Sequence, residues 1–373
     1  MPNASGQANA PGRFARVALV HDWLTIPGGS EQVLLNLLEL FPRGEIFTSV
    51  YDPAPWPEAL TSRPIHRSFL DRIPGSTKTY RLLLPLMNRA FEAFDLRDFD
   101  LVVSSNHAYA KNVLTRPGTL HVCYCHTPMR YAWEPRFLEG ERVPLKRLAQ
   151  SLFAGRIRRE DFIGSSRPDY FVANSHHVAT RIAKYYRRDA RVIHPPVDVD
   201  KFRSLPRAEG DYYLYLGRLV PYKRADLAIA ACRRLGRKLW VVGGGRAQER
   251  LRSIAGPETT FLGHLPEEEL LRVLAGARAL VFPGEEDFGI VPVEAQAAGV
   301  PVVAYGAGGV TETVIDGETG VLFEPQTVDA LCEAILRFES MSFDEQRLRQ
   351  HSVQFAPGRF RSEFADFLEQ VSR

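Results

Sequence analysis

The chain has 373 residues, too many for one ordinary core, and its 45% apolar and 24% charged content fits a globular protein of two domains. A formal net charge of +3 argues against a dedicated nucleic-acid binder, and no run of about 18 apolar residues offers a membrane span. Residues Met1 to Arg13 are small and polar without the apolar stretch of a signal peptide, and are expected to fray. Cys123, Cys125, Cys232 and Cys332 lack zinc-ligand spacing and read as reduced core thiols, so the expected location is cytoplasmic.

Ala15 to Val20 is predicted as the first buried parallel strand. It runs into H-D-W-L-T-I-P-G-G-S-E, where Gly28-Gly29 form a tight loop and Ser30 is the expected N-cap of a helix reaching Leu40. A strand, a glycine loop and a helix in that order mark the place where open α/β sheets bind ligands, although a plain turn has the same look. No G-x-G-x-x-G follows, which disfavours a dehydrogenase. Further strands are predicted at Ile46 to Val50, Leu101 to Ser104, His121 to Tyr124 and Tyr170 to Ala173, alternating with helices.

Ser76 to Phe99 mixes apolar residues with Lys78, Arg81 and Arg89. It reads as an amphipathic helix packed on the sheet, or as a surface for a lipid-linked acceptor or the bilayer. Arg142 to Arg159, with Lys146, Arg147, Arg156 and Arg158 around Leu148, Leu152 and Phe153, is open to the same two readings: a solvated helix face, or a site for anionic lipid. His126 stands directly after a strand, where catalytic residues collect in such sheets. Asn174-Ser175 ends the next strand and suits either a helix cap or the site.

Composition changes between Val197 and Asp211, where the domain boundary is placed. A second series of strands follows at Tyr213 to Leu216, Leu239 to Val242, Thr260 to Leu262, Ala279 to Phe282, Val302 to Ala304 and Gly320 to Phe323. The expected organisation is 14–197, 198–355 and a final helix, 356–373, that crosses back to the first domain. The expected site is the cleft between two doubly wound domains. Arg218 and Lys223 lie after the first strand of the second series, a spacing able to clamp a diphosphate. Gly243 and Gly244 offer close backbone approach, and His264 lies where backbone groups can meet a nucleobase edge. Gly308-Gly309 reads as a turn into a helix near Thr311.

The segment V-F-P-G-E-E-D-F-G-I-V-P-V-E-A-Q-A-A-G, from Val281 to Gly299, concentrates the chemistry. A strand ends, a glycine loop follows, and Pro292 sits in the first turn of a helix whose amino end suits a phosphate. Glu286 and Glu294, with seven residues between them, suit sugar hydroxyls. Phosphate and hydroxyls together mean a sugar nucleotide.

These residues resemble the family 4 retaining glycosyltransferases of the GT-B fold over nearly the whole chain. The likeness rests on the Gly-Gly loop, the H-x-P of His126 to Pro128, G-R-x(4)-K and E-x(7)-E. It implies that Gly28 and Gly29 approach the donor phosphate, and that Arg218 and Lys223 hold the diphosphate. Glu294 would take the ribose, Glu286 a hydroxyl of the donor sugar, and the amides of Phe288, Gly289 and Ile290 the sugar–phosphate. His126 would lie beside the reacting sugar, and no metal or other cofactor is implied.

The opening V-H-D-W-L-T-x-x-G-G-S-E and C-H-T-P-M-R-Y-A-W look most like bacterial polysaccharide mannosyltransferases. GDP-mannose is therefore the favoured donor, with a sugar or lipid-linked glycan as acceptor and a possible peripheral contact with the inner face of the plasma membrane. A UDP-sugar-dependent enzyme of the same fold and a GT-B sugar-nucleotide epimerase are competing expectations. A nucleotide-sugar-binding scaffold is the non-enzymatic one.

Overall fold

The structure, a computed structural model, describes residues 13–134, 144–208 and 210–372; the side chains at 131 and 144–153 lie outside the described set, as do Arg142 and most of the amino-terminal tail. The chain divides into two compact units, one running to Pro196 and resuming at Pro357–Arg373, the other Val197–Ala356.

In the first unit, β1 (Val17–His21), β2 (Glu45–Thr48), β3 (Ile65–Arg67), β4 (Leu101–Asn106), β5 (Leu120–Cys125), β6 (Tyr170–Ala173) and β7 (Ala190–Val192) form one parallel sheet in the order β3-β2-β1-β4-β5-β6-β7. Successive side chains of a strand point to opposite faces, and both faces of β1 are covered. Leu19 joins Leu34, Leu37 and Val103 on one side, while Ala18 and Val20 join Phe91, Val102 and Tyr109 on the other. The order reverses direction between β1 and β4, the switch point at which doubly wound sheets open a crevice beyond their strand ends.

The helix Pro357–Val371 belongs to this unit. Phe360, Phe364, Phe367 and Leu368 are buried on it, Phe360 lying edge-on to Tyr124 of β5 at 5.7 Å. Each such side chain contributes about 1.5–3 kcal/mol when buried, which outweighs the roughly 1 kcal/mol at most expected of an exposed ion pair. The Arg361–Glu39 pair at 2.7 Å is therefore secondary to the apolar face.

The second unit repeats the plan with β8 (Tyr212–Leu216), β9 (Lys238–Val242), β10 (Thr259–Gly263), β11 (Ala279–Phe282), β12 (Val302–Tyr305) and β13 (Gly320–Phe323), parallel in the order β10-β9-β8-β11-β12-β13. Its switch point lies between β8 and β11.

Several expectations need correction. The helix Gly29–Leu40 is preceded by Gly28, not Ser30, at its cap; the Ser30 hydroxyl donates instead to Glu31 at 2.8 Å. The segment Ser76 to Phe99 is not one helix but a turn of helix at Ser76–Thr79, a 3-10 turn at Tyr80–Leu83 and a helix at Leu84–Glu92. Tyr80, Met87, Ala90 and Phe91 are core residues, whereas Leu82 is 79% exposed. In the helix Pro144–Gly164, Arg156 pairs with Glu160 at 2.8 Å and the Arg158 guanidinium donates to the Ala132 carbonyl at 2.9 Å. Lys146, Arg147, Leu148, Leu152 and Phe153 fall outside the described side chains.

Candidate functional site

At the switch point of the second unit, two loops are built against each other. After β8 the chain passes through Gly217 and Arg218 to a 3-10 turn at Pro221–Lys223, and after β11 it passes through Pro283 and Gly284. A Cβ on Gly284 would stand 2.8 Å from the Lys223 Cα, so glycine there permits backbone contact between the loops. Arg224, in the left-handed region at φ 53°, donates to the Gln326 side-chain oxygen at 3.1 Å, and Gln326 donates to the Pro283 carbonyl at 2.8 Å. The result sets the Lys223 ammonium 2.8 Å from Glu286, both largely withdrawn from solvent. Arg218 stays exposed and donates to the Tyr222 hydroxyl at 3.0 Å.

The glycines after β9 are steric requirements of this arrangement. A Cβ on Gly243 would lie 2.2 Å from the Gly217 carbonyl oxygen, and one on Gly244 would lie 2.9 Å from Nε2 of the exposed His264. The Gly244 carbonyl accepts from the Leu219 amide at 2.9 Å, tying this loop to the one bearing Arg218.

Glu286 also bridges to Gly308, and its carbonyl accepts from the Gly309 amide at 2.8 Å. Gly308-Gly309 therefore do more than turn the chain; the helix they precede, Val310–Thr313, starts one residue before Thr311. Gly289, at φ 95°, caps the helix Ile290–Ala297 without a side-chain hydrogen bond. Its first amides are left for another acceptor, next to the buried Phe288 ring. Glu294 lies on this helix. Burial pushes its carboxyl up to about 7, with Lys201 opposing and Asp198 adding to the rise.

The first unit gathers a different cluster at its own switch point. His21 ends β1, Ser105 lies near the end of β4, and His126 follows β5. The Ser105 hydroxyl lies 3.0 Å from His21 Nδ1 and 2.8 Å from His126 Nε2, and His21 Nε2 lies 3.2 Å from Glu31 on the first helix. Asp22 accepts the backbone amides of His107, Ala108, Tyr109 and Ala110 at 2.6–2.9 Å and pairs with His107 Nδ1 at 3.2 Å.

Burial would raise both carboxyls, but His107 and the amides hold Asp22 down, while the His21 hydrogen bond brings Glu31 to about 2. Burial lowers His126 to about 3, reinforced by His107 and His21, so its ring is neutral. Asn174 donates to the His126 carbonyl at 3.0 Å, and Ser175 caps the following helix by accepting from the Val178 amide.

The predicted residues thus fall into two groups. Arg218, Lys223, Gly243, Gly244, His264, Glu286, Phe288, Gly289, Ile290 and Glu294 lie at the carboxyl ends of β8 to β11, and Gly28, Gly29 and His126 at those of β1 and β5. His21, Asp22, Ser105 and Glu31 were missed. The available signal was a His-Asp pair directly after an apolar strand, since a polar pair there must either be satisfied internally or serve a site.

Residues 27–201 match the family model described as Glycosyltransferase Family 4, and residues 197–354 that described as Glycosyl transferases group 1. Among curated relatives, the GDP-mannose-dependent alpha-(1-6)-phosphatidylinositol monomannoside mannosyltransferase of Mycolicibacterium smegmatis is 35% identical over 192 residues, covering 43% of this chain and 50% of that protein. A glycogen synthase of Mycobacterium tuberculosis is 38% identical over 170 residues, covering 43% and 40%. The chain thus matches half or less of the length of these relatives. Among solved structures, sucrose-phosphate synthase from Thermosynechococcus elongatus superposes with a TM-score of 0.71 at 21% identity, covering 95% of this chain and 98% of that one. Anabaena HepE in complex with UDP and glucose superposes with a TM-score of 0.68 at 19% identity, covering 94% and 99%. At these identities the superpositions speak for the fold.

Proposed function

We propose that the chain, whose two halves match the Glycosyltransferase Family 4 and Glycosyl transferases group 1 models on a GT-B fold, transfers a hexosyl group, favoured as α-mannosyl from GDP-mannose, to a sugar or lipid-linked glycan acceptor. The observation that carries this is the juxtaposition of Lys223 with Glu286 beside Arg218 at the β8–β11 switch point. Two cations there neutralise the charge that grows on a departing nucleoside diphosphate. Glu286 and Glu294 accept hydroxyls of the sugar and ribose, and the free amides after Gly289 take the sugar–phosphate. His126 accepts a hydroxyl of the transferred sugar.

The acceptor oxygen forms its bond to the anomeric carbon on the face from which the phosphate oxygen leaves. The proton of the acceptor hydroxyl passes to that β-phosphate, which gives retention without a separate base. Because the diphosphate charge is met by Arg218 and Lys223, no metal ion is assigned to the step.

The 35% identity to a mycobacterial enzyme named as GDP-mannose-dependent favours that donor, and its phosphatidylinositol-linked acceptor favours a lipid-linked one here. Among the described residues no helix is long and apolar enough to cross a membrane. Exposed Phe69, Ile73, Leu82 and Leu86, close in sequence to Arg72, Lys78, Arg81 and Arg89, are proposed to meet an anionic bilayer surface peripherally.

The test is a thermal-shift panel of GDP-, UDP-, dTDP- and ADP-sugars, since a ligand that binds only the folded chain raises its apparent stability. GDP-mannose is expected to give the largest shift. A larger shift with a UDP-sugar moves the donor assignment, and no shift with any of them overturns the proposal.

A further inference from the structure

We propose that Glu31, His21 and Ser105 form a directional hydrogen-bond relay that holds His126 in the tautomer protonated on Nε2, leaving Nδ1 as an acceptor only. The proposal rests on the reading of His126 as a group that meets the transferred sugar, and it defines what His126 can recognise there.

The direction follows from counting protons. An ionised carboxylate accepts and cannot donate, so the 3.2 Å contact between Glu31 and His21 Nε2 requires the proton on Nε2. When His21 carries a single proton its other nitrogen is an acceptor, so His21 Nδ1, 3.0 Å from Ser105, takes the hydroxyl proton; a doubly protonated His21 would donate there and reverse the relay, the outcome that a proton on His126 Nδ1 would report. A serine hydroxyl has one proton. Having given it to His21, the Ser105 oxygen can only accept from the second ring, 2.8 Å away, which puts a proton on His126 Nε2.

The chain of contacts is insulated from exchange with water. His21 and Ser105 are fully buried and Glu31 is 5% exposed. The neighbouring carboxylate does not compete, because Asp22 spends both oxygens on four backbone amides and His107. His107 and His21 thus have separate carboxylate partners: His107 has Asp22, and His21 has Glu31. The His126 backbone is fixed separately by Asn174, so the relay governs the ring and its proton. Glu31, His21 and Ser105 are positioning residues in this scheme.

An acceptor-only Nδ1 has a consequence for specificity. It takes the O–H of a neutral sugar hydroxyl and repels a carboxylate, so it favours a hexosyl donor over the corresponding hexuronosyl donor.

The test uses the full chain labelled with 15N-histidine and long-range 1H–15N correlation at neutral pH. The expected pattern gives His126 a protonated-type Nε2 and an unprotonated-type Nδ1. In Ser105→Ala both nitrogens should move toward averaged values, with kcat on GDP-mannose falling about tenfold, the size of one net buried hydrogen bond, and GDP affinity unchanged. Ser105→Thr, which keeps the hydroxyl, should restore the pattern and the turnover. Glu31→Leu, which removes the acceptor of His21 Nε2, should shift the tautomer in the same direction as Ser105→Ala.

A wild-type His126 protonated on Nδ1, or an unchanged pattern in folded Ser105→Ala, overturns the relay. The expected tautomer in a protein that turns over no sugar nucleotide upholds the relay and counts against the proposed function alone.

Discussion

The ammonium of Lys223 lies 2.8 Å from the carboxylate of Glu286, joining the loop after β8 to the loop after β11. Each serves as the other's counter-charge. On the proposed function, a bound sugar nucleotide divides them, drawing Lys223 to the diphosphate and Glu286 to a sugar hydroxyl.

That division makes the two residues separable by substitution. Lys223→Ala should weaken GDP binding about tenfold or more in calorimetry, the loss expected for a charge-assisted hydrogen bond of roughly 1.5–3 kcal/mol. Glu286→Gln should leave GDP affinity within a few-fold while lowering turnover of the sugar nucleotide. Equal losses of GDP affinity in both variants contradict the assignment.

Glu294 should make nucleotide binding depend on pH. Its folded carboxyl is raised to about 7 from the usual 4.5, so the folded chain holds that proton more tightly than the unfolded chain does. Stability from this group is complete below 4.5 and is lost as pH rises through about 7. Ionisation over the same range creates the better acceptor for ribose hydroxyls, so GDP affinity should rise with pH across neutrality. Glu294→Gln should flatten the component of the pH profile due to this group, measured as the difference from wild type in calorimetric titrations.

Gly309 is constrained by space and not by its backbone angles. Its φ is −67°, which any residue adopts, yet a Cβ would stand 2.3 Å from both the Asp287 carbonyl oxygen and the Phe288 Cα. Gly309→Ala should displace the Glu286–Phe288 loop, destabilise the fold by about 1–3 kcal/mol as overpacking does, and weaken sugar-nucleotide binding. Denaturant unfolding and calorimetry on the same variant check both effects.

Vesicle sedimentation tests the proposed bilayer contact. The wild-type chain should bind vesicles rich in phosphatidylglycerol and not neutral phosphatidylcholine vesicles, with binding weakened by salt. Arg81→Ser with Arg89→Ser should reduce binding by about 1 kcal/mol per basic residue. Unchanged binding to anionic vesicles in that variant removes this face from the membrane reading.

Most of the sheet was legible in the sequence because its central strands are buried on both faces and read as short apolar runs. β3 and β7 were not, since each has three residues, Ile65-His66-Arg67 and Ala190-Arg191-Val192, at the edges of the sheet. Edge strands need no continuous apolar run, so hydrophobicity alone does not reveal them. The residues proposed to meet the diphosphate and the hydroxyls were readable because charged side chains followed strands at fixed spacing. The contact of Gly308-Gly309 with Glu286 was not, because glycine carries no chemical label and the constraint lies in a backbone distant in sequence. The relay behind His126 was hidden for a related reason: it joins residues from β1, β4 and the first helix that only the strand order brings together.

The most direct measurement is transfer of labelled mannose from GDP-mannose to a lipid-linked glycan in excess EDTA, with the product's linkage read by digestion with anomer-specific mannosidases. The expected result is GDP release matched by a product that α-mannosidase cleaves and β-mannosidase does not. A β-linked product, transfer that stops until Mg²⁺ is restored, or conversion of GDP-mannose to an epimeric sugar nucleotide without transfer contradicts it.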